Sequence, residues 1–388
     1  MRRFWQRLLL AKWDVLGRKL LGPACIVIVA GMLVAGLWPF HAPKNQVTWI
    51  SGGNGVRFGR HGTLLSSGRF PGPAGQDNGA CSIELWLKPA VFDGSTLFSF
   101  YVPQSSRRFF LSQSISDLRL ETDIRKGKFE TRSIRFYVDD VLRPGRQTFV
   151  TITSGGGQTS IYIDGALAQT APGYPLSNQD LKGELIVANL PRDSNSWTGV
   201  LRGLAFYGQK LTPAQVRRNF VAWTTSGEPQ ISGDERAEAI YLFNEHSGRV
   251  IHNHVPSGIN LHIPDRYVVL DQEFLTPFWK EFDPTWNYAE DVLVNIAGFV
   301  PFGLVCCAYL SLVCQFKRPA LAAVLLGFAI SLTIEVLQSY LPTRDSGTTD
   351  LITNTFGTAC GVWMCLAIPW RVVFAKVSQR LGPRNAGG

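Results

Sequence analysis

Two segments in the last third of the chain repeat one polar pattern. Asp291-Val-Leu-Val-Asn295-Ile-Ala-Gly298 and Asp350-Leu-Ile-Thr-Asn354-Thr-Phe-Gly357 both read D-x-x-x-N-x-x-G. On a helix these positions share a face, so each segment predicts a stripe of an acid, an amide and a small residue. Between them stand Glu335 and Gln338, one helical turn apart, and Leu341-Pro-Thr-Arg344-Asp345 follows with a cation. Ionisable groups in apolar surroundings are costly and normally face a partner or a cavity. Two chemistries are open to this set. Glu335 or Asp350 could act as a base while Arg344 holds an anionic phosphate group. The same side chains could instead form a network of salt bridges and amides that pins helices together. The candidate site is therefore Asp291, Asn295, Glu335, Gln338, Arg344, Asp350 and Asn354, with Glu335, Arg344, Asp291 and Asp350 expected to converge. Gly298, Pro301, Gly303, Gly357 and Gly361 are expected to pack helices closely; Gly357-x-x-x-Gly361 is a close-packing pattern.

Other candidates carry less. Glu121-Thr-Asp123 presents two carboxylates on one strand face, but no third acid follows at the spacing of a β-glucan hydrolase. The acid and nucleophile pair of glycoside hydrolysis is then missing, and a charged, solvated strand is expected. His246, His252, His254 and His262 form the one histidine cluster, without acids or cysteines at ligand spacing. No metal site and no cofactor is expected. Cys25, Cys306, Cys307, Cys314, Cys360 and Cys365 fall in or beside apolar stretches and read as small packing residues. Cys81 alone lies elsewhere, so its region can hold no internal disulfide.

The elements that position these residues are apolar helices. Charged residues make up 17% of the chain, below the roughly one quarter usual in soluble domains. The deficit is concentrated: Leu21 to Phe40, and residues 292–314, 319–334 and 351–370, carry no charge. Each is close to the length that crosses a bilayer as a helix. The net charge of +9 has a matching origin. Arg2, Arg3, Arg7, Lys12, Arg18 and Lys19 precede the first stretch against Asp14 alone. Lys317 and Arg318 follow the second, and Arg371, Lys376, Arg380 and Arg384 fill the tail. The positive-inside rule assigns all three segments to the cytoplasm. The expected arrangement is a cytoplasmic N-terminus (1–20), a first transmembrane helix (21–40), an extracytoplasmic domain (44–270), helices 2–4 (288–370) and a cytoplasmic tail (371–388). The first helix is expected to stay uncleaved, because no A-x-A site follows it and Trp38 and Phe40 suit a membrane interface. The basic flanks answer to the bilayer; no nucleic-acid partner is expected.

Residues 44–270 have the texture of an all-β sandwich. Ser82-Ile-Glu-Leu-Trp-Leu-Lys88 alternates strictly. Ser160-Ile-Tyr-Ile-Asp164-Gly165-Ala-Leu predicts a hairpin, with Asp-Gly supplying a type I′ turn. Gly199 to Tyr207 predicts a strand. Thr212, Pro213 and Gln215 then predict a capped helix that turns Val216, Phe220 and Val221 toward a partner surface.

These elements resemble the LamG/concanavalin A-like jelly-roll family, on Ile83-Glu-Leu-Trp-Leu-Lys-Pro89, Ile161 to Gly165, Gly199 to Tyr207 and Leu211 to Phe220. Ala239-Ile-Tyr-Leu-Phe-Asn-Glu-His-Ser-Gly248 looks like the strand that opens such domains, yet it stands at the end. The sandwich is thus expected to be permuted, or closed by a strand beside the first. Asp291…Asn295…Phe299-Val-Pro-Phe-Gly303, with Glu335-x-x-Gln338, Leu341-Pro-x-Arg344 and Asp350-x-x-x-Asn354-x-x-Gly357-x-x-x-Gly361, resembles the VanZ family over residues 288–370. That resemblance implies a four-span membrane bundle, with the sandwich inserted in its first external loop. The founding member's association with teicoplanin resistance implies a place in the bacterial envelope. The expected fold class is a membrane α-helical VanZ-like bundle plus an all-β jelly roll. Three functions stay open: an inner-membrane envelope protein recognising a glycan, a lipid-linked ligand or a protein; a membrane enzyme modifying a lipid-linked substrate; and a structural or assembly factor.

Overall fold

The computed structural model describes residues 2–367 except 72–78, 127–129, 175, 193–195, 231–235 and 257, with the backbone alone for 2–18, 126 and 130. The basic tail expected to be cytoplasmic lies outside the described residues. The chain forms two compact units, Met1–His41 with Glu273–Gly388, and Ala42–Gln272. Helix α1 (Arg2–Leu37) opens the first unit.

The second unit is a sandwich of two eight-stranded sheets. One sheet holds β1 (Val47–Trp49), β2 (Val56–Phe58), β4 (Cys81–Pro89), β9 (Thr148–Gly155), β10 (Gln158–Ile163), β11 (Ala166–Pro172), β13 (Gly199–Tyr207) and β14 (Ala237–Tyr241). The other holds β3 (Leu64–Phe70), β5 (Thr96–Tyr101), β6 (Arg107–Ser114), β7 (Asp117–Lys126), β8 (Glu130–Val138), β12 (Gly183–Val187), β15 (Val250–Ile251) and β16 (Leu261–His262). Every ladder is antiparallel. Alternation sets the core: Ile83, Leu85 and Leu87 on β4 are buried against the other sheet's Phe98, Phe100, Leu118 and Leu120. Phe206 meets Phe98 and Phe100 edge-on at 5.5 and 5.3 Å between centroids, the arrangement that ring quadrupoles favour.

Local signals act where the residues place them. Asp164 and Gly165 take φ of 51° and 77° and close the β10–β11 hairpin. Thr212 caps α2 (Pro213–Ser226), with Gln215 returning the bond to the Thr212 backbone. Helix α2 covers the outer face of the first sheet with Val216 and Trp223, whereas Val221 is 50% exposed. A buried carboxylate fixes it there. Glu84 accepts from Tyr207 Oη (2.8 Å), Asn219 Nδ2 (3.0 Å) and Trp223 Nε1 (3.0 Å). Of the two expected arrangements, closure by a strand beside the first does not occur. Strand β14 does not lie beside β1; it pairs with β13 over Leu204 to Tyr207, end to end with β2, which holds Gly199 to Leu201. The later residues cross to the other sheet as β15 and β16.

The first unit continues with α3 (Phe278–Glu281), α4 (Trp286–Leu312), α5 (Pro319–Gln338) and α6 (Thr348–Ala367). Among the described residues three helices are long and apolar enough to cross a membrane: Lys19–Leu37, α4 and α5. The fourth crossing expected over 351–370 starts inside α6 and runs past the described residues. Helices α4 and α6 approach to backbone contact. A Cβ on Gly303 would strike the Thr358 carbonyl, one on Gly357 the Ile296 carbonyl, and one on Gly361 the Val300 carbonyl. Two expected packing residues lie elsewhere: Gly298 and Pro301 are exposed, and a Cβ on Gly298 would meet nothing within 4 Å. The α4 backbone meets α6 at Ile296, Val300, Gly303 and Leu304, and at about 100° per residue Gly298 and Pro301 fall on the other side of the helix.

Candidate functional site

The polar residues of the membrane unit meet along the α5–α6 seam, in an antiparallel register. Gly327 lies against the Thr358 side chain. One turn on, Asn354 Nδ2 donates to Ser331 Oγ at 3.0 Å. One turn further, the same register places Glu335 and Asp350. Each rung is four residues from the last on both helices, so the i, i+4 stripe of α6 meets a matching stripe on α5. Ser331, Glu335, Asn354 and Thr358 are all buried.

Among the described residues, one hydrogen bond joins the two D-x-x-x-N-x-x-G stripes. Asn295 Nδ2 on α4 donates to Asp350 Oδ1 at 2.8 Å. Asp291 is exposed. Glu335 is 1% exposed and accepts the Gly347 N–H at 2.8 Å. That N–H is one of the groups a helix start leaves without an intrahelical partner. Arg344 turns away from the acids: Nε and Nη2 donate to the Trp38 carbonyl at 3.2 and 2.7 Å. Gln338 Nε2 donates to the Gly36 carbonyl at 2.9 Å. Both therefore serve the carbonyl end of α1, where a cation also suits the helix dipole. The expected convergence of four charges is thus partial, and no ion pair joins Glu335 or Asp350 to Arg344 among the described residues.

One participant was missed from sequence. Glu281 Oε2 accepts the Thr349 N–H at 3.0 Å and its hydroxyl at 2.5 Å. It arrives because Thr276 pairs with the Gly347 turn, bonding to Ser346 O and Thr348 N at 2.8 Å each. A four-residue helix 68 residues away from Thr349 is too short to give a periodic signal of this contact.

On the sandwich, the outer face of the second sheet divides in two. Val268 and Leu270 cover Leu65, Tyr101 and Ile186, and Asp271 bonds to Arg192 at 2.8 Å. Burial first, then the charge and hydrogen bond of Asp271, push the Tyr101 hydroxyl above its ordinary value. Beyond that cover, β6–β8 present Arg108, Arg119, Glu121, Asp123, Arg135 and Tyr137 on one face. Glu121 is buried, not solvated as expected. Arg135 Nε donates to its Oε1 at 2.7 Å, and Arg119 Nε lies 3.3 Å from its Oε2. Asp123 accepts from Ser133 at 2.5 Å. The histidines do not assemble: His252 Nδ1 meets Glu245 at 3.1 Å, and no metal-holding group of three His, Cys, Asp or Glu occurs among the described residues.

Residues 238–369 match the family model described as VanZ/LLP1, and residues 61–217 match that of the concanavalin A-like lectin/glucanases superfamily. The chain joins a VanZ-like region to a concanavalin A-like domain. The VanZ-like region reaches further back than the motifs at 288–370, into β14 of the sandwich. Solved structures similar to the chain include a native heptameric SAP-like pentraxin from Limulus polyphemus, at 14% identity over 56% of this chain and 94% of that one, with a TM-score of 0.35. Another is a proposed carbohydrate binding protein from Bacteroides ovatus, at 13% identity over 59% of this chain and 62% of that one, with a TM-score of 0.37. The curated proteins contain no match. The two antiparallel sheets and the family model establish the jelly-roll-like fold.

Proposed function

We propose that this membrane protein anchors a glycan-recognition domain in the bacterial envelope, and that the polar seam is a brace for the anchor. The observation that carries the reading is the state of the acids on the concanavalin A-like domain. Both oxygens of Glu121 face guanidinium groups and Asp123 is tied to Ser133, so neither is set up as the free acid or nucleophile of a hydrolase. Arg135 and Tyr137 beside them are open to solvent and suit binding to a polar ligand with a ring face. In the membrane unit, Arg344 and Gln338 hold the end of α1 while Asn295 and Asn354 cross-link helices, which favours bracing over a ligand site.

The topology belongs to the same proposal: residues 1–20 and 371–388 in the cytoplasm, 44–270 outside, and a fourth crossing over 351–370. A phosphatase reporter fused after Gly173 is then active and one fused after Lys317 inactive. The recognition claim is tested with the full chain in lipid nanodiscs on an array of bacterial envelope glycans. Binding to a glycan that Tyr137→Ala weakens, without hydrolysis, supports it. Cleavage of a glycan that stops with Glu121→Gln refutes it. A place in glycopeptide resistance is the narrower form, and a deletion strain with unaltered teicoplanin sensitivity removes that form alone.

A further inference from the structure

Three large apolar side chains stand in solvent at one end of the sandwich. Val91 is 46% exposed, Phe92 62% and Ile115 66%. They come from the loop after β4 and the turn between β6 and β7. The two segments are stitched together: Ile115 N–H donates to Asp93 O at 3.0 Å, and Gln113 Nε2 donates to Val91 O and Ile115 O at 2.8 and 2.7 Å. Gln113 is itself fully buried and receives the Trp197 indole N–H at 2.7 Å. The tip is therefore held on the body of the sandwich.

Ile115 is the informative residue. Its φ is 60°, in the left-handed region where glycine and asparagine are favoured and a β-branched residue is an outlier. Its side chain packs on no core cluster among the described residues. Folding gains nothing from an isoleucine in that turn, so the apolar group serves something outside the sandwich.

The strand registers say which end this is. Phe58 is opposite Val47 and Gly199, and Pro89 is opposite Gly199. The start of β1 and the end of β4 thus share one end, and the Trp197 bond to Gln113 puts the tip there as well. Nine residues separate α1, which ends at Leu37, from β1, which begins at Val47, a connection that spans at most ~36 Å. The connection carries Trp38 and Phe40, 62% and 51% exposed, residue types that settle at a membrane surface. Three side chains are too few for a stable protein interface, which needs on the order of 1,200 Å² or more of buried surface.

We propose that Val91, Phe92 and Ile115 form an apolar tip that enters the interfacial layer of the bilayer spanned by α1. The contact is apolar and requires no anionic lipid. The proposal rests on the reading of α1 as a membrane span.

The test places a benzophenone amino acid at position 92 of the full chain in nanodiscs of zwitterionic lipid, with lipid adducts counted by mass spectrometry. Position 158, at the opposite end of β9 and β10, is the solvent control. Position 26, 71% exposed on α1, is the lipid control. The proposal predicts adducts at 92 about ten-fold above those at 158, as expected for a side chain in the interface. Ile115→Gly lowers the yield at 92 several-fold while the sandwich melts no earlier, because glycine accepts the left-handed backbone. Equal yields at 92 and 158, with adducts at 26 intact, overturn the tip. Adducts from 92 to protein instead of lipid overturn it too. Absence of lipid adducts at 26 overturns the membrane reading of α1, and the tip with it.

Discussion

Helices α4 and α6 carry the same stripe and use it differently. On α4, Asp291 and Gly298 are exposed, and among the described residues of the stripe Asn295 alone hydrogen-bonds across, to Asp350. On α6, Asn354 is buried and bonded to Ser331, Gly357 touches backbone, and Asp350 accepts from Asn295. The difference is one of position. Helix α6 turns Gly357 onto the Ile296 backbone and Asn354 onto Ser331 of α5, whereas α4 meets α6 through Ile296, Val300 and Gly303, a face that leaves Asp291 and Gly298 outside the seam. A repeated sequence therefore specifies a face; the neighbours decide what that face is worth.

The largest expected contrast is between the glycines. Gly357→Val forces a side chain into the Ile296 carbonyl and is expected to abolish the folded protein in the membrane. Gly298→Ala enters open space and is expected to gain up to ~1 kcal/mol from helix propensity. Membrane abundance and detergent melting temperature check both. If the two variants behave alike, the asymmetry between the helices is wrong.

Next come the acids. Glu335→Ala leaves the buried Gly347 N–H without its acceptor, a cost of about 1–3 kcal/mol. Asp291→Ala, at an exposed position, is expected within about ±0.5 kcal/mol. Chemical denaturation in detergent separates these, and a larger loss at Asp291 would reverse the comparison.

The amides sharpen it. Symmetry of the two stripes would have Asn295→Ala and Asn354→Ala behave alike. The structure predicts a larger loss for Asn354, which is 5% exposed and bonded to Ser331, than for half-buried Asn295. Interhelical bonds in membranes average only ~0.6 kcal/mol, so the gap is small and calls for paired melts. Of similar size is Arg344→Gln, which keeps an amide donor for the Trp38 carbonyl and loses a charge near the end of α1, worth about 0.3–1 kcal/mol.

What could be read in advance follows the range of each interaction. The Asp164-Gly165 hairpin, the Thr212 cap and three of the apolar helices depend on neighbours in sequence, and they stand where the residues place them. The α6 stripe was visible because i, i+4 spacing is local. The direction of Arg344 was not, because its acceptor, Trp38 O, is 306 residues away. Glu281 was invisible for the same reason. Glu121 looked like a solvated acid because the guanidinium groups that bury it include one from another strand, Arg135. Position 115 gave no sequence signal either, since isoleucine in a strand-rich region reads as core until its backbone angle is known.

The division of labour, with recognition in the sandwich and bracing in the membrane seam, is tested most directly by one paired measurement. Melting temperature and glycan binding are read for Asn354→Ala and Tyr137→Ala in the full chain in nanodiscs. The account predicts that Asn354→Ala melts earlier and binds glycan with unchanged affinity, while Tyr137→Ala melts normally and binds weakly. An Asn354→Ala protein that melts normally but no longer binds would contradict it, and would place the ligand in the membrane seam.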